Sequence, residues 1–310
     1  MTSEQKPNSI TITYLSKVSF ASLNGADKEV DNINPIKKIT LSNGHELPYV
    51  SSQAIRRALR DRLGEMGHKL SPVQEASAKK GAPKTQIQPA DFIDDDLFGY
   101  MDAAPSKEEK GKGTSTIRTS PIRVESLVAL SEYKGDLDYA TNYMGKSVGA
   151  DPNIFETEIH SGIYRGTILI ELDRVGSGQG FEKGVSDNDK NKERVLAFLN
   201  AFRNLWSSGR QTRFLADISP KFIAAACMRV KNPIFLEAVN VTFDGNIQYE
   251  KLTSVVNDYE PFIVQHVFAK QDAVFPLANN VPDLKINSLK DGFSAIEKWV
   301  EDYYSTSKVS

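Results

Sequence analysis

The core of this chain opens with SITITYLSKVSFASL, residues 9–23, in which β-branched or aromatic residues alternate with small polar ones. Alternation with a period of two is typical of a strand, so this segment predicts the first strand of a sheet. Residues 24–48 contain Asn-Gly twice and two prolines, which predicts a loop with a short strand near residues 38–41. A helix follows directly after this loop.

That helix is predicted over SSQAIRRALRDRLGEM, residues 51–66, with Ser51 or Ser52 as its N-cap. Its apolar residues recur at helical spacing and form one stripe: Ile55, Leu59, Leu63 and Met66. The arginines lie off that stripe: Arg56, Arg57, Arg60 and Arg62. Free N–H groups at a helix start and adjacent guanidinium groups favour a phosphate. The alternative is an amphipathic surface helix with solvated arginines, and the helix taken alone favours that alternative.

Periodicity predicts the remaining elements of the core. Strand-like runs lie at residues 116–130, with a break at Pro121, and at 163–172, 222–230 and 234–243. Helices are predicted over residues 191–208, closed by Gly209, and over 249–268 and 289–304. Residues 175–190 are rich in Gly, Asp and Asn, which predicts a flexible loop.

Two polar stretches interrupt this pattern. Residues 71–115 hold prolines, small residues and a Lys/Glu/Gly segment, which indicates an excursion that leaves the main core and holds one short helix over 91–100. The triplet Asp94, Asp95 and Asp96 within it predicts a solvated acidic loop, because consecutive carboxylates do not converge on one cation. Residues 132–161 form the second excursion. The order that remains is strand, helix, strand, strand, helix, strand, which is the ferredoxin-like order of RNA-recognition folds in the α+β class.

Composition restricts the classes of function. The chain has 310 residues, 40% of them hydrophobic, and a formal net charge of -2, so a nucleic-acid partner would be held by local basic patches. The single cysteine, Cys227, lies in an apolar run and predicts a core residue in a reducing cytosol. With neither an apolar leader nor a spanning segment, the sequence predicts a soluble, cytoplasmic protein without a membrane partner.

The motifs of common catalytic sites are missing from the sequence. Four scattered histidines and one cysteine do not build a metal centre, so no metal or cofactor is expected. The run VGSGQGFEKG, residues 175–184, lacks the Lys-Ser/Thr and the immediate helix of a phosphate-binding loop. Asp27 and Asp31 follow the first strand, where a carboxylate could orient an RNA 2′-hydroxyl for cleavage, although turn formation explains them more simply.

The order of motifs resembles the DevR-type backbone subunit of the type I-B CRISPR surveillance complex, Cascade. The matching pieces are ITYLSKVSFASLNGAD at 12–27, LPYVSSQAIRRALRDRL at 47–63, RTSPIRVESLVAL at 118–130, GTILIELDRVG at 166–176 and RVLAFLNAFRNLWSSGRQTRFLADISPKFIAAA at 194–226. The resemblance implies a single domain over 1–310 with a modified RNA-recognition (RRM-like) palm. It also implies a helical finger insertion at 71–115, a thumb β-hairpin at 132–161 and a C-terminal helical part of the palm at 245–310.

In such proteins, several copies stack head to tail along one guide RNA (crRNA) and bind it without sequence preference. The implied function here is therefore non-catalytic: the chain oligomerises on the crRNA, supports pairing of the crRNA with target DNA, and contacts the other Cascade subunits. Two alternatives stay open. A related type III backbone subunit cuts target RNA through a loop aspartate, for which Asp27 or Asp31 is the candidate. A developmental regulator would instead bind duplex DNA.

The candidate RNA-binding residues follow from position within this resemblance. Phosphate contacts and close backbone approach are assigned to Asn24, Gly25, Lys37, Lys38, Ser51, Arg56, Arg57 and Arg60. Arg118 and Arg123 flank the second strand of the palm, and at least one of them is expected to face RNA. The thumb tip, which displaces one base at intervals, is assigned to Tyr143, Met144 and Lys146.

Overall fold

A computed structural model describes residues 6–27, 32–73, 84–104, 114–149, 151, 153–182, 187–206, 213–275 and 284–306. The strands are β1 Ser9–Ala21, β2 Ile33–Asn34, β3 Lys38–Thr40, β4 Glu46–Val50, β5 Tyr100–Ala104, β6 Thr114–Arg118, β7 Ile122–Val124, β8 Leu127–Ala129, β9 Leu137–Asn142, β10 Asn153–Glu158, β11 His160–Glu171, β12 Phe222–Met228, β13 Ile263–Lys270 and β14 Ile286–Ser288. The helices are α1 Ser52–Glu65, α2 Ile93–Phe98, α3 Asn188–Arg203, α4 Tyr249–Asp258 and α5 Leu289–Thr306, with 3-10 turns at Met144–Val148 and Glu260–Phe262.

One large sheet organises the molecule, in the order β14-β13-β12-β1-β11-β8-β4-β3, with β7 also paired to β11. At its centre β1 lies between β11 and β12, and both pairings are antiparallel. Along the chain, these central elements occur as β1, α1, β7 with β8, β11, α3 and β12, which is the predicted order of strands and helices. The α+β class is therefore confirmed, and β3, β4, β13 and β14 widen the sheet at its two edges.

Two hydrophobic cores cover the two faces of this sheet. On one face α3 packs between α1 and α5, and these helices bury the even-numbered residues Ile10, Ile12 and Tyr14 of β1. On the other face Leu15 and Phe222 are covered by residues 234–262, including α4. Because the first half of β1 lies inside both layers, its polar residues Ser9, Thr11, Thr13 and Ser16 are buried as well. The Thr13 hydroxyl lies 3.1 Å from that of Thr167, within hydrogen-bond distance.

Helix α2 of the insertion between α1 and β7 packs into the main core, whereas the sequence predicted that the insertion leaves it. Helix α2 lies within the predicted range 91–100, and its Leu97 and Phe98 belong to the main core. The triplet Asp94, Asp95 and Asp96 is at most 2% exposed, so the predicted solvated acidic loop is wrong. Arginines from three other elements, described below, pair with Asp94 and Asp96, while the Asp95 carboxylate accepts from Gln88 N–H at 2.9 Å. Residues 74–83 and 105–113 of the insertion lie outside the described residues.

Three other predicted elements also differ from the structure. Residues 234–243 form turns instead of a strand, because Pro233 starts successive turns in which Leu236 N–H donates to Pro233 O and Ala238 N–H to Phe235 O. The helix predicted over 249–268 ends at Asp258, before Pro261, and the chain continues as strand β13. Residues 38–50 contain the β3–β4 hairpin, whose second strand joins the main sheet through β8.

The other long elements agree with prediction within a few residues. Helix α3 starts three residues before the predicted start and ends at Arg203, and the predicted terminator Gly209 lies outside the described residues. Helix α5 and strands β11 and β12 occupy their predicted segments. Cys227 is buried in the core, as expected. Across the described ranges, no helix combines the length and the apolar character that crossing a bilayer requires.

Candidate nucleic-acid interface

The hairpin of β9 and β10 exposes five large aromatic or apolar side chains within the predicted thumb: Leu137, Tyr139, Tyr143, Met144 and Ile154. The two strands pair from Leu137 with Glu158 to Asn142 with Asn153, and β2 joins β10 in a small sheet separate from the main one. Six residue pairs give the hairpin a length of about 20 Å. A 3-10 turn closes it, and this hairpin occupies the range predicted for the thumb.

The tip of the hairpin presents the three residues assigned to it. Tyr143 is 61% exposed and Met144 is 80% exposed. The Lys146 Nζ atom lies 4.9 Å from the Tyr143 ring centroid, which is a cation-π distance. Lys146 N–H donates to Tyr143 O at 3.0 Å, so a bonded turn holds these side chains together. An exposed ring and a cation on one turn can contact a base and a phosphate at the same time.

The two faces of the hairpin have different surroundings. On one face Leu137, Tyr139 and Ile154 are exposed, which leaves an apolar stripe in solvent. The opposite face is held to the body of the protein by Arg213, which sequence reasoning missed. Its guanidinium pairs with Asp138, donates to the Thr157 hydroxyl at 3.4 Å and lies 5.4 Å from the Phe155 ring. The alternation in LDYATN at 137–142 was a signal for the exposed stripe, but no local signal identifies Arg213.

Glu158 fixes the base of the hairpin to the segment before β4. Its carboxylate accepts from Ile36 N–H at 2.9 Å and from the Lys38 ammonium at 2.9 Å. The Lys38 Nζ also lies 4.3 Å from the Tyr133 ring centroid, and burial, followed by the Glu158 charge, raises the pKa of Tyr133. Lys38 is therefore neutralised within the chain, which makes it a weaker phosphate ligand than the sequence suggested.

Asn24, Lys37 and Ser51 meet at one junction beside this base. The Asn24 side-chain oxygen accepts from Ser51 N–H at 2.9 Å, and Asn24 O accepts from Lys37 N–H at 2.8 Å. Ser51 caps α1 by accepting from Ala54 N–H at 3.4 Å. Gly25 bridges to Ile36, and a Cβ at Gly25 would lie 3.9 Å from the nearest backbone oxygen, so nothing in the described chain demands glycine there. Their contact with RNA stays a prediction.

The start of α1 is already occupied by groups of the same chain. Ser51 N–H, Ser52 N–H and Ala54 N–H are accepted by Asn24, Ser126 and Ser51, respectively. An anion at this helix terminus would have to displace these bonds. The capped helix predicted from the sequence is confirmed. The N–H groups at its start donate to side chains of the same chain, so they are not free to bind a phosphate.

The arginines of α1 divide between the interior and the surface. Arg56 donates to Phe98 O, and burial, followed by the Arg60 charge, lowers its pKa. Arg60 pairs with Asp94 at 3.4 Å and stacks on the Phe98 ring. Arg57 is 72% exposed in its side chain and pairs with Asp61 at 2.9 Å. Among the three, Arg57 is the one whose guanidinium faces solvent.

Arg62 was placed off the apolar stripe, and this prediction is wrong. The residue is 6% exposed, pairs with Glu65 at 2.6 Å and lies 4.7 Å from the Trp206 ring centroid. Burial of a guanidinium against an aromatic ring costs less free energy than burial of an ammonium, because the flat faces of the guanidinium are weakly hydrated.

Arg118 does not face a groove, which corrects the prediction for it. Its guanidinium pairs with Asp96 and donates to Ser177 O at 2.5 Å and Arg174 O at 3.0 Å. Asp96 also pairs with Arg194 of α3 and accepts from Gly176 N–H. The described part of the predicted flexible loop, residues 175–182, is thus bonded to this cluster.

Arg123 is the more exposed of the two arginines that flank the second strand of the core. Its side chain is 58% exposed and pairs with Glu171 at 2.6 Å. Its contact with RNA stays a prediction.

A 370 Å³ cavity lies beside the first loop and the hairpin base. Asp27, the first of the two candidate catalytic aspartates, lines it together with Lys38, Glu46 and Glu158. Within the described ranges, no set of three His, Cys, Asp or Glu side chains converges as a metal site. Asp31, the second candidate, lies outside the described residues.

Two solved structures share this fold. A chain of "CRISPR RNA-guided surveillance complex, pre-nicking" has a TM-score of 0.60 at 14% identity and covers 94% of this chain and 100% of that chain. A chain of "CRISPR RNA-guided surveillance complex" has a TM-score of 0.57 at 15% identity, with coverages of 94% and 98%. The fold is thus of a class found in CRISPR-associated proteins.

Sequence similarity then places the chain within that class. The "CRISPR-associated protein Cas7/Cst2/DevR" of Myxococcus xanthus (strain DK1622) is 27% identical over 220 residues, which are 67% of this chain and 68% of that protein. The family model for the CRISPR-associated negative auto-regulator DevR/Csa2 matches residues 12–251. The chain belongs to the DevR/Csa2 family, which confirms the resemblance read from the motifs.

Proposed function

We propose that this chain is a crRNA-binding backbone subunit of a type I-B Cascade complex, in which several copies line the guide RNA. The order β12-β1-β11-β8 with α1 and α3 on one face supports an RRM-like palm with a ferredoxin-like topology. The described part of the insertion, with α2 and the β5–β6 hairpin, would be the finger. Residues 245–310 would complete the palm with strands β13 and β14 as well as helices.

The observation that carries the proposal is the β9–β10 hairpin. It is braced at its base by Glu158 and along one face by Arg213, and it exposes Tyr143, Met144 and Lys146 at its tip. A rigid hairpin with an aromatic ring, a flexible apolar side chain and a cation suits a thumb that wedges between bases while it holds the backbone. Watson–Crick edges on both sides of the wedge would stay free to pair with target DNA.

Binding without base preference agrees with the character of the hairpin surface. The exposed groups at the tip and along the free face are aromatic, apolar and cationic, and none of the side chains of Tyr139, Tyr143, Met144 and Lys146 forms a fork that reads one base. Stacking accepts any base because every base has a π-face. Specificity would then come from the crRNA, through pairing.

We further propose that the subunit acts without catalysis. Asp27 is exposed on a loop and lines a cavity whose other acids are Glu46 and Glu158, the latter of which is neutralised by Lys38. The type III-like alternative predicts Mg²⁺-dependent cutting of RNA complementary to the guide. An assay with the parent chain and with Asp27→Ala and Asp31→Ala decides this point, since cutting that either substitution abolishes would overturn the non-catalytic proposal.

The main test is stoichiometry on RNA. The purified chain is mixed with an unstructured RNA and with one of twice that length, and native mass spectrometry counts the bound copies. We expect the copy number to double with RNA length, and Tyr143→Ala with Met144→Ala to weaken binding while Leu215→Ala, an exposed residue away from the tip, does not. A constant single copy, or stronger retention of duplex DNA than of RNA, would contradict the proposal.

A further inference from the structure

Phe243 lies fully exposed on a tight, well-bonded turn. The turn spans Thr242 to Asn246, where Thr242 N–H donates to Asn246 O at 2.8 Å and Gly245 N–H to Thr242 O at 2.9 Å. Asn246 N–H also donates to the Thr242 hydroxyl at 3.2 Å. A phenyl ring with all its surface in water is unfavourable, and this turn holds the ring there instead of letting it fold back.

The turn packs on the main sheet beside a cation. A Cβ at Gly245 would lie 3.7 Å from the Ile163 side chain, so the turn rests on strand β11. Ile163 is the antiparallel partner of Lys17 in β1, and such partners share one face of the sheet with Cβ atoms about 5 Å apart. Lys17 is exposed, and from this position its long, flexible stem is able to carry the ammonium to the flank of the turn.

We propose that Phe243 and Lys17 form a second RNA contact, in which the ring stacks on a nucleobase and the ammonium binds the adjoining phosphate. This inference rests on the proposed RNA-binding function and adds a palm contact to that of the hairpin tip. The pair repeats the composition of the tip, where Tyr143 lies beside Lys146. Asp244 is exposed on the same turn and its carboxylate opposes a phosphate, so the proposed contact depends on the ammonium of Lys17.

The surroundings of Phe243 favour a base over a protein partner. Its exposed neighbours on the turn are polar, namely Thr242, Asp244 and Asn246. A protein-binding hot spot is surrounded by further contacts that exclude water, whereas a base needs one ring face and a nearby cation. A single ring without an apolar surround therefore suits single-stranded RNA.

Substitutions at position 243 test stacking directly. RNA affinity is measured for the parent, Phe243→Ala, Phe243→Leu and Phe243→Trp, with Met101→Ala as an exposed apolar control on β5. Loss of one stacked base predicts a 5- to 100-fold weaker affinity, roughly, for both Ala and Leu. The Trp variant should keep the parent affinity, and its fluorescence, after subtraction of the parent's Trp206 and Trp299 signal, should be quenched by RNA.

The outcomes separate this inference from the proposed function. If the parent chain binds RNA, two results would overturn the Phe243 contact and leave the hairpin proposal intact. One is a Phe243→Leu variant with the same RNA affinity as the parent, and the other is a Phe243→Trp variant whose fluorescence RNA does not quench. A parent chain that does not bind RNA would overturn both. Lys17→Ala should weaken binding less than Phe243→Ala and reduce its salt dependence, and an unchanged salt dependence would remove Lys17 from the contact.

Discussion

Substitution of Asp96 by alanine tests how the insertion is held to the body of the protein. Asp96 is fully buried at the centre of an ionic cluster, where its carboxylate pairs with Arg118 of β6 and Arg194 of α3 and accepts from Gly176 N–H. Removal of the carboxylate leaves two buried guanidinium groups without an ionic partner. The loss of unfolding free energy is that of leaving buried charges uncompensated, and it exceeds the net stabilisation that the original ion pairs contributed.

The magnitude can be bounded from the remaining contacts. Breaking a buried ion pair costs about 3–5 kcal/mol of unfolding free energy. Arg118 would keep the carbonyl oxygens of Ser177, Arg174 and Asp96 as acceptors, and Arg194 would keep that of Ala90, so we expect the lower end, about 3 kcal/mol. For a chain of 310 residues, that corresponds to a fall in Tm of roughly 5 °C.

Denaturant and thermal unfolding of the parent, Asp96→Ala, Asp96→Asn and Asp61→Ala measure these effects. Asp61 pairs with the exposed Arg57, so its substitution should change stability by less than about 1 kcal/mol. Limited proteolysis should then cut Asp96→Ala first within the insertion. Equal stability of Asp96→Ala and Asp61→Ala would refute the reasoning, because it would mean that the Asp96 cluster contributes no more than a surface pair.

Three further predictions concern the hairpin, pH and salt. Arg213→Ala removes the ion pair with Asp138, so proteolysis of the hairpin should accelerate while Tm changes little. Arg213→Lys should restore the resistance to proteolysis only in part, because an ammonium lacks the forked donors of a guanidinium. Burial lowers the pKa of His160, although the charge of Asp136 opposes this shift. As pH falls, the unfolded state therefore binds a proton at a higher pH than the folded state does, and stability should fall as pH drops below about 6.5. His160→Gln should flatten this slope in unfolding measured against pH, without abolishing it because burial also lowers the pKa of His266. RNA affinity should fall with salt at a slope of about −2 per copy if three cations make the phosphate contacts, namely Lys17, Lys37 and Lys146. A slope twice as steep would indicate that α1 arginines also bind RNA.

The elements predicted from sequence are those whose periodicity is local and unbroken. β1 and α5 each show one clear period over a dozen residues or more. The sequence predicted Ser51 or Ser52 as the cap of α1, and the structure shows that it is Ser51. The helix predicted over 249–268 failed because Pro261 ends it, and the strand that follows, IVQHVFAK, lacks clean alternation. Its position between β12 and β14 makes it a strand, and that position is a property of the tertiary structure.

The acidic triplet shows why the rest of the site was beyond sequence reasoning. Asp96 meets Arg118 across 22 residues and Arg194 across 98 residues. No local sequence pattern within a helix or a loop predicts such a pairing. A run of charged residues is therefore predicted to be solvated whenever its partners lie far away in the sequence. The same applies to Arg213 and Asp138, which lie 75 residues apart and together fix the angle of the hairpin.

The arginine helix therefore has a different role in the structure from the one its sequence suggests. Both sides of α1 are covered, since Ile55 and Leu59 enter the main core while Arg56 and Arg60 bind α2 through Phe98 and Asp94. The insertion buries and positions the guanidinium groups of Arg56 and Arg60, so their charge holds α1 to α2 instead of facing solvent. In a chain with a net charge of -2, the proposed phosphate contacts would then fall to exposed lysines such as Lys17 and Lys146. Under the proposed function, sequence-neutral binding would depend more on stacking and on repeated copies than on a dense basic groove.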